Sequence, residues 1–270
     1  MTTASQETGG TGAPSAAVML FDTHAHYDDA AFDADRDALL SRLPSDGVRY
    51  VVNVGCDLAS SRRAVELAKR YDYIYAGVGI HPGDAGEWTD GTLGELRALA
   101  AHPKVVAIGE IGLDYHYDTP PRDVQRAVFR AQLRLAEELG LPVSVHDRDA
   151  HGESLEIIRE FPAVRGVFHC FSGSVETARE LVSLGWYLGF TGVVTFKNAK
   201  KTAAVAVDAP ADRILIETDC PYLAPEPCRG TRCDSSLLVH TGAKLAALRG
   251  VPAAELYALT CENARRFYGV

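Results

Sequence analysis

The sequence predicts an α/β protein, specifically a (β/α)8 TIM barrel with C-terminal helices. Three observations favour this fold: eight short runs rich in valine and isoleucine, longer amphipathic segments between them, and a total span of about 250 residues. A doubly wound open sheet is the alternative, because it uses the same alternation of strands and helices. No internal linker or short repeat divides the 270 residues, so we expect a single large domain.

The eight predicted strands follow one another along the whole chain. They are Met19–Thr23, Tyr50–Val54, Ile74–Gly79, Val105–Ile108, Val143–Val145, Gly166–Phe168, Tyr187–Phe190 and Ile214–Ile216. The helix-like segments include Leu58–Tyr71, Leu93–Ala101, Arg122–Gly140, His151–Phe161, Val175–Leu184, Leu237–Arg249 and Ala253–Phe267. Asp57 and Ser174 are typical N-cap residues, and Gly140 and Gly185 stand where helices commonly stop.

The N-terminal segment differs in composition from the rest of the chain. Residues 1–17, MTTASQETGGTGAPSAA, are small, polar and glycine-rich, which predicts a disordered tail before a barrel domain over residues 18–270. The segment lacks the basic start and apolar core of a signal peptide, and no apolar run approaches the ~18 residues that span a bilayer. We therefore expect a cytoplasmic, monomeric protein without membrane contact, and Met19 is an alternative start.

Cysteine content and charge exclude some classes of protein. Six cysteines in 270 residues are too few for a disulfide scaffold. Cys228 and Cys233, with Cys220 nearby, leave a structural zinc site open, although no second close Cys/His pair completes it. The formal net charge of -9 argues against a general nucleic-acid coat protein. It does not exclude an enzyme that binds phosphates locally through metals.

The first strand ends in an unusual polar pattern, "FDTHAH". Side chains alternate along a strand, so Asp22, His24 and His26 are expected to share one face. Two imidazoles beside a carboxylate suit a metal ion. Taken alone, the pattern is equally typical of a polar strand end with two solvated histidines.

Further polar residues stand at the ends of five other predicted strands. They are His81, Glu110, His146, His169 and the pair Glu217 and Asp219. In a barrel of this type the carboxyl ends of all strands meet on one face, where active sites form. Each residue alone is typical of an ordinary hydrogen-bonded side chain, and the coincidence is what indicates a site. The set exceeds what one tetrahedral ion with an open position needs, and it suits two ions sharing a carboxylate.

The remaining histidines do not follow strands. His102, His116, His151 and His240 fall in predicted helices or loops. We interpret them as surface or capping residues.

Six ordered motifs together resemble one known family. They are DTHAHYD, GIHPGDA, IGEIGLDYHYD, SVHDRDA, FHCFSGS and IETDCPYLAPEPCRGTR. From Phe21 to the C-terminus, the chain resembles the TatD family of metal-dependent hydrolases, in the amidohydrolase superfamily. The resemblance implies a (β/α)8 barrel with two divalent ions, Mg²⁺, Mn²⁺ or Zn²⁺. It places His24, His26 and Asp219 at the first ion, Glu110 between the two, His146 and His169 at the second, and His81 near the substrate phosphate.

The resemblance also implies an activity. Family members resemble magnesium-dependent 3′-to-5′ exonucleases acting on the ends of single-stranded DNA or RNA. A metal-activated water would attack the phosphorus in line, with Asp219 accepting its proton as general base. The cations and bridging Glu110 would complete the catalytic set, and His81 would donate a hydrogen bond to the phosphate.

Basic residues near the motifs are candidates for binding flanking phosphates. Arg148, Arg229 and Arg232 have the required guanidinium chemistry, and Lys197 is a similar candidate. Surface solubility is the alternative role for each of them. Glu217 is a candidate for orienting a ligand or a water.

Two positions depart from the family pattern. Where many relatives have His-Pro-His, this chain has His81-Pro82-Gly83, so a second histidine is missing beside the site. Where many relatives have Arg-Asn-Glu-Pro, this chain has Arg232-Cys233-Asp234-Ser235. Asp234 would replace the glutamate with a side chain one methylene shorter, which makes a different substrate preference an open alternative.

Two rival functions remain open from the sequence. The same metal scaffold supports hydrolysis of amides, lactones or aminoacyl esters such as D-aminoacyl-tRNA. A metal-binding or partner-binding protein without catalysis is the third reading. One barrel hosts many reactions, so fold resemblance does not decide among them.

Overall fold

Eight parallel strands form one sheet in sequence order, with helices between them. The structure is a computed structural model that describes residues 19–117 and 119–270, so the predicted tail over residues 1–17 lies outside the described residues. The strands β1–β8 are Leu20–Ala25, Val48–Val54, Ile74–Val78, Val105–Asp114, Val143–Arg148, Gly166–Phe168, Tyr187–Phe190 and Ile214–Ile216. An isolated parallel bridge between Ala25 and Cys220 links the two ends of the sheet. The arrangement is a nearly closed (β/α)8 barrel, as predicted, and the open-sheet alternative is wrong.

The helices lie between the strands and after the last one. In the described residues, α1–α9 are Arg36–Arg42, Leu58–Arg70, Thr92–Ala100, Arg122–Leu139, His151–Arg159, Val175–Ser183, Lys200–Asp208, Leu238–Arg249 and Ala253–Tyr268. The sequence patterns did not predict α1 or α7. The two C-terminal helices α8 and α9 are those predicted.

Three strands run further than polarity indicated. β4 continues past Ile108 through Glu110 to Asp114, and every one of its residues is buried. β1 likewise extends through His24 and ends one residue before His26, and β5 extends through His146 to Arg148. The predicted ends were wrong because a polar residue in a strand usually faces solvent, whereas here the polar side chains face the barrel interior.

Local capping agrees with the sequence. Asp57 and Ser60 form a capping box at the start of α2, with the Asp57 carboxylate accepting from the Ser60 N–H at 2.5 Å. Ser174 accepts from the Thr177 N–H at 3.2 Å at the start of α6. Gly140 ends α4 in the left-handed conformation with φ 65°.

The barrel contains a second apolar cluster in addition to the main core. We call it the α9 cluster, because strand residues in it pack against α9. Its members are Phe21, Val52, Val54, Val106, Ala107, Val167, Tyr187, Leu215, Cys261, Ala264, Phe267 and Tyr268. The Tyr268 hydroxyl also donates to the Thr23 carbonyl at 3.0 Å. α9 is thereby fixed directly to the strand that carries the paired histidines.

Among the described residues, no helix has the length and apolar character needed to cross a bilayer.

Candidate metal centre

Glu110 lies at the centre of the polar cluster, and its two carboxylate oxygens face different groups of residues. Oε2 lies 3.4 Å from His24 Nε2 and 3.7 Å from His26 Nε2. Asp219 completes this side, with Oδ1 3.3 Å from His26 Nε2 and 3.9 Å from His24 Nε2. We call His24, His26, Asp219 and this oxygen the Oε2 group.

The other oxygen of Glu110 faces two further histidines. Oε1 lies 2.9 Å from His146 Nδ1 and 2.8 Å from His169 Nε2. Those two ring nitrogens are 3.4 Å apart. We call His146, His169 and Glu110 Oε1 the Oε1 group. The His24 and His169 rings stack at a centroid distance of 4.0 Å, so the two groups are contiguous.

His81 faces the same carboxylate with a protonated ring nitrogen, Nε2. Its Nδ1 accepts from the Gly83 N–H at 3.0 Å. In the neutral ring the proton therefore resides on Nε2, which lies 3.8 Å from Glu110 Oε1. His81 presents a hydrogen-bond donor to the centre and not a free lone pair.

Outer contacts orient the other imidazoles. His26 Nδ1 lies 2.8 Å from the Val54 carbonyl, which can only accept, so the lone pair of the neutral ring is on Nε2. His24 Nδ1 contacts Ser144 Oγ at 3.1 Å. His146 Nε2 lies 3.1 Å from Asp114 Oδ2. Each of these rings turns its other nitrogen toward Glu110.

In the described part of the chain, Nδ1 of His169 is the one buried side-chain nitrogen or oxygen atom that has no hydrogen-bond partner. The nearest carboxylate, Glu217 Oε1, is 3.7 Å away. That separation is too long for a hydrogen bond, while the other ring nitrogen, Nε2, lies 2.8 Å from Glu110 Oε1. Glu217 itself is held by the Cys170 N–H and by Thr23 Oγ1.

The electrostatics of the centre follow from burial and crowding. Burial alone raises the pKa of Glu110, but His169 and the neighbouring histidines outweigh it and hold that pKa well below its usual range. Burial, with His169 nearby, lowers the pKa of His24 to about 4. Burial opposes protonation of His146, but its hydrogen bonds to Asp114 and Glu110 prevail and raise its pKa to about 10. Burial raises the pKa of Glu217 to about 7.

These donors fit a divalent cation. Imidazole nitrogens and carboxylate oxygens converge in both groups, and a cation bound between them would compensate the burial of these polar groups. In the described residues, four sets of three side chains place ligand atoms within 4.8 Å of one another, and Glu110 belongs to three of these sets. The nitrogen and oxygen donor mix suits Zn²⁺, Mn²⁺ or a similar ion.

Three contacts of the centre escaped sequence analysis. Cys56 Sγ lies 3.7 Å from Glu110 Oε2, although the residue follows β2 in the same manner as the other candidates follow their strands. Asp114 stands four residues after Glu110 in β4, on the same face, so strand periodicity was an available signal. Ser144 gave no signal, because a serine inside a buried strand is unremarkable.

Gly112, between Glu110 and Asp114, allows β4 and β5 to approach at this centre. It adopts φ +142°, and a Cβ there would lie 2.0 Å from the His146 carbonyl oxygen. A side chain at this position would therefore displace the strand that carries His146.

The predicted phosphate-binding residues separate into two sets. Arg148 lines the cavity above the centre, with its guanidinium 5.2 Å from the Tyr117 ring centroid. Arg232 pairs with Asp35 at 2.6 Å and packs on Phe32. Arg229 packs over Phe196. Neither Arg229 nor Arg232, nor exposed Lys197, is among the described residues that line this cavity.

Asp22 bonds to other elements and does not join the candidate metal groups of the described residues. Its buried carboxylate accepts from the Thr218 N–H and hydroxyl at 2.9 and 2.6 Å and from Ser235 Oγ at 2.6 Å. It thereby links β1 to the segment after β8 and is in none of the candidate metal groups found in the described residues.

The other histidines and cysteines lie apart from these groups. His151 pairs with Asp147 and His116 with Asp149, while His102 Nδ1 accepts from the Lys104 N–H. Cys228 Sγ lies 4.0 Å from His240 Nε2. Within residues 19–117 and 119–270, no candidate metal group contains Cys220, Cys228 or Cys233.

The two departures from the family pattern have defined places. The Gly83 N–H fixes the ring state of His81, as described above. Asp234 accepts from the Ser236 N–H at 2.8 Å and caps a short 3-10 turn. It is not among the described residues that line the cavity.

The cavity over the centre has a volume of about 1050 Å³. Its described lining includes two arginines, of which Arg63 lies 3.4 Å from the Asp28 carboxylate. The lining is otherwise rich in carboxylates, contributed by Asp28, Asp29, Asp33, Asp57, Asp84, Glu110, Asp147 and Asp219. The mouth of the site is therefore acidic.

Comparison with known proteins supplies the family. The model of the family described as TatD related DNase matches residues 21–269. The chain is 45% identical to the uncharacterized metal-dependent hydrolase YabD of Bacillus subtilis, covering 93% of this chain and 100% of that protein. It is 38% identical to the 3′-5′ ssDNA/RNA exonuclease TatD of Cronobacter sakazakii, covering 92% and 97%.

Solved structures agree with the sequence relatives. The crystal structure of YJJV, a TatD homolog from Escherichia coli K12, superposes with a TM-score of 0.89 at 31% identity, covering 94% of this chain and 100% of that one. A hydrolase TatD family protein from Entamoeba histolytica superposes with a TM-score of 0.85 at 23% identity, which shows the shared fold. The chain therefore belongs to the TatD-related DNase family of metal-dependent hydrolases.

Proposed function

We propose that this chain is a two-metal phosphodiester hydrolase that removes nucleotides from the 3′ ends of single-stranded DNA or RNA. The observation that carries the proposal is that the two carboxylate oxygens of Glu110 face different groups of side chains. One carboxylate oxygen faces His24, His26 and Asp219, and the other faces His146 and His169. A carboxylate that serves two donor sets is the arrangement expected of a bridging ligand between two ions.

In this proposal the Oε2 group holds one ion and the Oε1 group holds the other. Divalent ions there would make a bound water more acidic and offset the charge that develops on the phosphate oxygens. The outer contacts of His26, His24 and His146 keep the ligand nitrogens pointed at Glu110. The pKa of Glu110 lies well below its usual range, so its carboxylate stays ionised.

Two further residues act on the substrate side. Asp219 lines the cavity and retains 17% side-chain exposure, so its carboxylate can accept a proton from a nucleophilic water. Burial raises its pKa, but His26 and the other histidines outweigh this and hold the pKa below its usual value, which keeps the base ionised. His81 Nε2–H donates to a phosphate oxygen.

The nucleic-acid substrate is supported by relatives and by one cavity residue. A 38% identical protein bears the name 3′-5′ ssDNA/RNA exonuclease. Arg148 reaches the cavity and offers a fork of donors for a flanking phosphate. Arg229 and Arg232 are left out of this role, because their guanidinium groups pack on Phe196 and pair with Asp35.

The acidic cavity mouth favours a second candidate, hydrolysis of a carbonyl ester, amide or lactone. Besides the proposed metal ligands Glu110 and Asp219, six carboxylates and two arginines line the described cavity, a balance that disfavours a polyanion relative to a neutral or cationic group. An aminoacyl ester carries such a group in its ammonium. The same two metal groups would then polarise a carbonyl oxygen.

The test is trimming of 5′-labelled single-stranded DNA with added Mg²⁺ or Mn²⁺. We expect a ladder of shortened products from the wild type, none from Glu110→Gln, and a normal ladder from Glu138→Gln, an exposed surface glutamate paired with Arg97. A phosphorothioate linkage at the 3′ end should block the ladder.

Turnover of D-aminoacyl esters or lactones, without any ladder from metal-loaded protein, would replace the first candidate with the second. The same Glu110→Gln and Glu138→Gln pair then identifies whether that turnover uses this centre.

A further inference from the structure

The Oε2 group has a neighbour that the metal scheme above does not use, the thiol of Cys56. Sγ lies 3.7 Å from Glu110 Oε2, and 3.9 Å from His26 Nδ1, the ring nitrogen that is turned to the Val54 carbonyl. Cys56, His26 and Glu110 form one of the four sets whose ligand atoms lie within 4.8 Å of one another. Cys56 also lines the cavity, so an entering ion can reach it.

We propose that Cys56 is a sulfur ligand of the ion held by the Oε2 group and makes this position prefer thiophilic ions such as Zn²⁺ over Mg²⁺. The inference rests on the proposed function, because it assumes that the Oε2 group holds an ion. It concerns a residue that the first strand and the TatD motifs quoted above do not include.

The spacing suits joint ligation. With Cys56 the Oε2 group offers five ligand atoms, and zinc lies ~2.3 Å from a thiolate sulfur and ~2.0–2.2 Å from a carboxylate oxygen, so at the roughly 90–120° angles of a five-coordinate ion these two atoms stand about 3.1–3.8 Å apart. The Cys56 Sγ to Glu110 Oε2 distance of 3.7 Å lies within that range. Little rearrangement is needed for both atoms to bind one ion.

The backbone holds the thiol and the carboxylate in register. The Cys56 N–H donates to Ser60 Oγ at 2.8 Å, inside the capping box of α2. The Cys56 carbonyl accepts from the His81 N–H at 2.7 Å, and the preceding Gly55 carbonyl accepts from the Glu110 N–H at 2.8 Å. Main-chain bonds thus fix Cys56 to His81 and the adjacent Gly55 to Glu110, as expected of a preorganised ligand.

The chemistry of sulfur gives the selectivity. A thiol that ligates a divalent ion loses its proton, which passes to solvent. Thiolate is a soft ligand that suits zinc, whereas Mg²⁺ prefers hard oxygen ligands and retains its waters. A centre with Cys56 as ligand should therefore bind Zn²⁺ and Co²⁺ more tightly than its nitrogen and oxygen donors alone would.

Cys170 provides a matched control. It also lines the cavity and follows the ligand candidate His169, but its Sγ contacts Thr191 Oγ1 at 3.3 Å. Among the described residues it belongs to none of the candidate metal groups. A Cys170→Ser variant removes a cavity thiol without removing the proposed ligand.

The experiment is a Co²⁺ titration of the full chain followed by near-ultraviolet absorption, with bound cobalt measured separately. We expect a sulfur-to-cobalt charge-transfer band in the wild type and in Cys170→Ser, and no such band in Cys56→Ser. Zn²⁺ affinity should fall about tenfold or more in Cys56→Ser, with little change for Mg²⁺. Circular dichroism establishes that each variant is folded.

The outcomes separate this inference from the proposed function. Cobalt bound to the wild type without a sulfur band, or an equal band in Cys56→Ser, overturns the assignment of Cys56 and leaves the metal centre intact. Failure of the wild type to bind cobalt contradicts the centre itself and the inference with it. Zinc X-ray absorption of the wild type needs no variant, and the absence of a zinc–sulfur distance near ~2.3 Å would also overturn it.

Discussion

The metal centre and the α9 cluster occupy the same barrel and share β1, yet they hold opposite kinds of residue. In the α9 cluster, Phe21 packs against Tyr268 at a ring distance of 5.8 Å, and burial of apolar surface is the stabilising term. In the centre, His24 and Glu110 are equally buried, but as polar groups whose lone pairs converge. Burial of such groups costs stability unless a cation compensates it. One region is built for stability and the other for binding.

The largest expected effect comes from Glu110. Replacing it by Gln removes the charge shared by both metal groups, so kcat/KM should fall by on the order of 10³-fold. The urea midpoint of unfolding should shift much less than it does for a core truncation, since no cavity is created. If Glu110→Gln lost much stability but kept its activity, Glu110 would be a stabilising residue and the contrast with the α9 cluster would be wrong.

The corresponding change in the α9 cluster is Phe267→Ala. Phe267 is 1% exposed and its ring lies 4.9 Å from that of Tyr187. We expect the free energy of unfolding to fall by about 3–5 kcal/mol, measured by urea denaturation. kcat below the melting temperature should stay near the wild-type value. Phe267→Leu, which keeps most of the apolar volume, should lose less stability, and a kcat that falls in step with stability would contradict the separation of the two regions.

A smaller effect is expected from Asp114→Asn, which weakens the acceptor that orients His146 through Nε2. Metal affinity, measured by calorimetry, should fall about 10–100-fold. Asp147→Asn is the matched control, because Asp147 holds His151, which lies outside the candidate metal groups of the described residues. Equal losses in the two variants would show that Asp114 has no special role at the centre.

The smallest effect separates two arginines. Arg148→Gln should raise KM for an oligonucleotide about tenfold through loss of a charged hydrogen bond, with kcat little changed. Arg232→Gln should leave KM unchanged and cost less than ~1 kcal/mol of stability, since Arg232 forms a surface ion pair with Asp35. An equal rise of KM in both variants would show that Arg232 also binds the substrate, which would contradict the separation of the two arginines.

Sequence periodicity was sufficient for the barrel and most of its elements, because strand and helix periods reflect local burial. It misplaced the end of β4, where Glu110 and Asp114 are polar and yet buried inside the barrel. It also did not separate Asp22, whose carboxylate bonds to Thr218 and Ser235, from the histidines that follow it. Periodicity indicates which face of a strand a residue takes, but it does not indicate which partners the side chain meets there.

The candidate ligands were visible in sequence because they recur at strand ends, and the structure brings His24, His26, Glu110, His146, His169 and Asp219 together. Their outer contacts were not visible. Ser144 meets His24 across 120 positions of sequence, and Arg232 is held by Asp35 across 197. Such pairings depend on barrel closure, which no local pattern encodes.

The central claim, that Glu110 is shared by two ions, is tested most directly by Mn²⁺ titration with electron paramagnetic resonance. We expect two Mn²⁺ per chain in the wild type, with the spectrum of an exchange-coupled pair, and loss of that coupling in Glu110→Gln. A single Mn²⁺ per chain, or two uncoupled ions whose spectrum is unchanged in Glu110→Gln, would contradict the account.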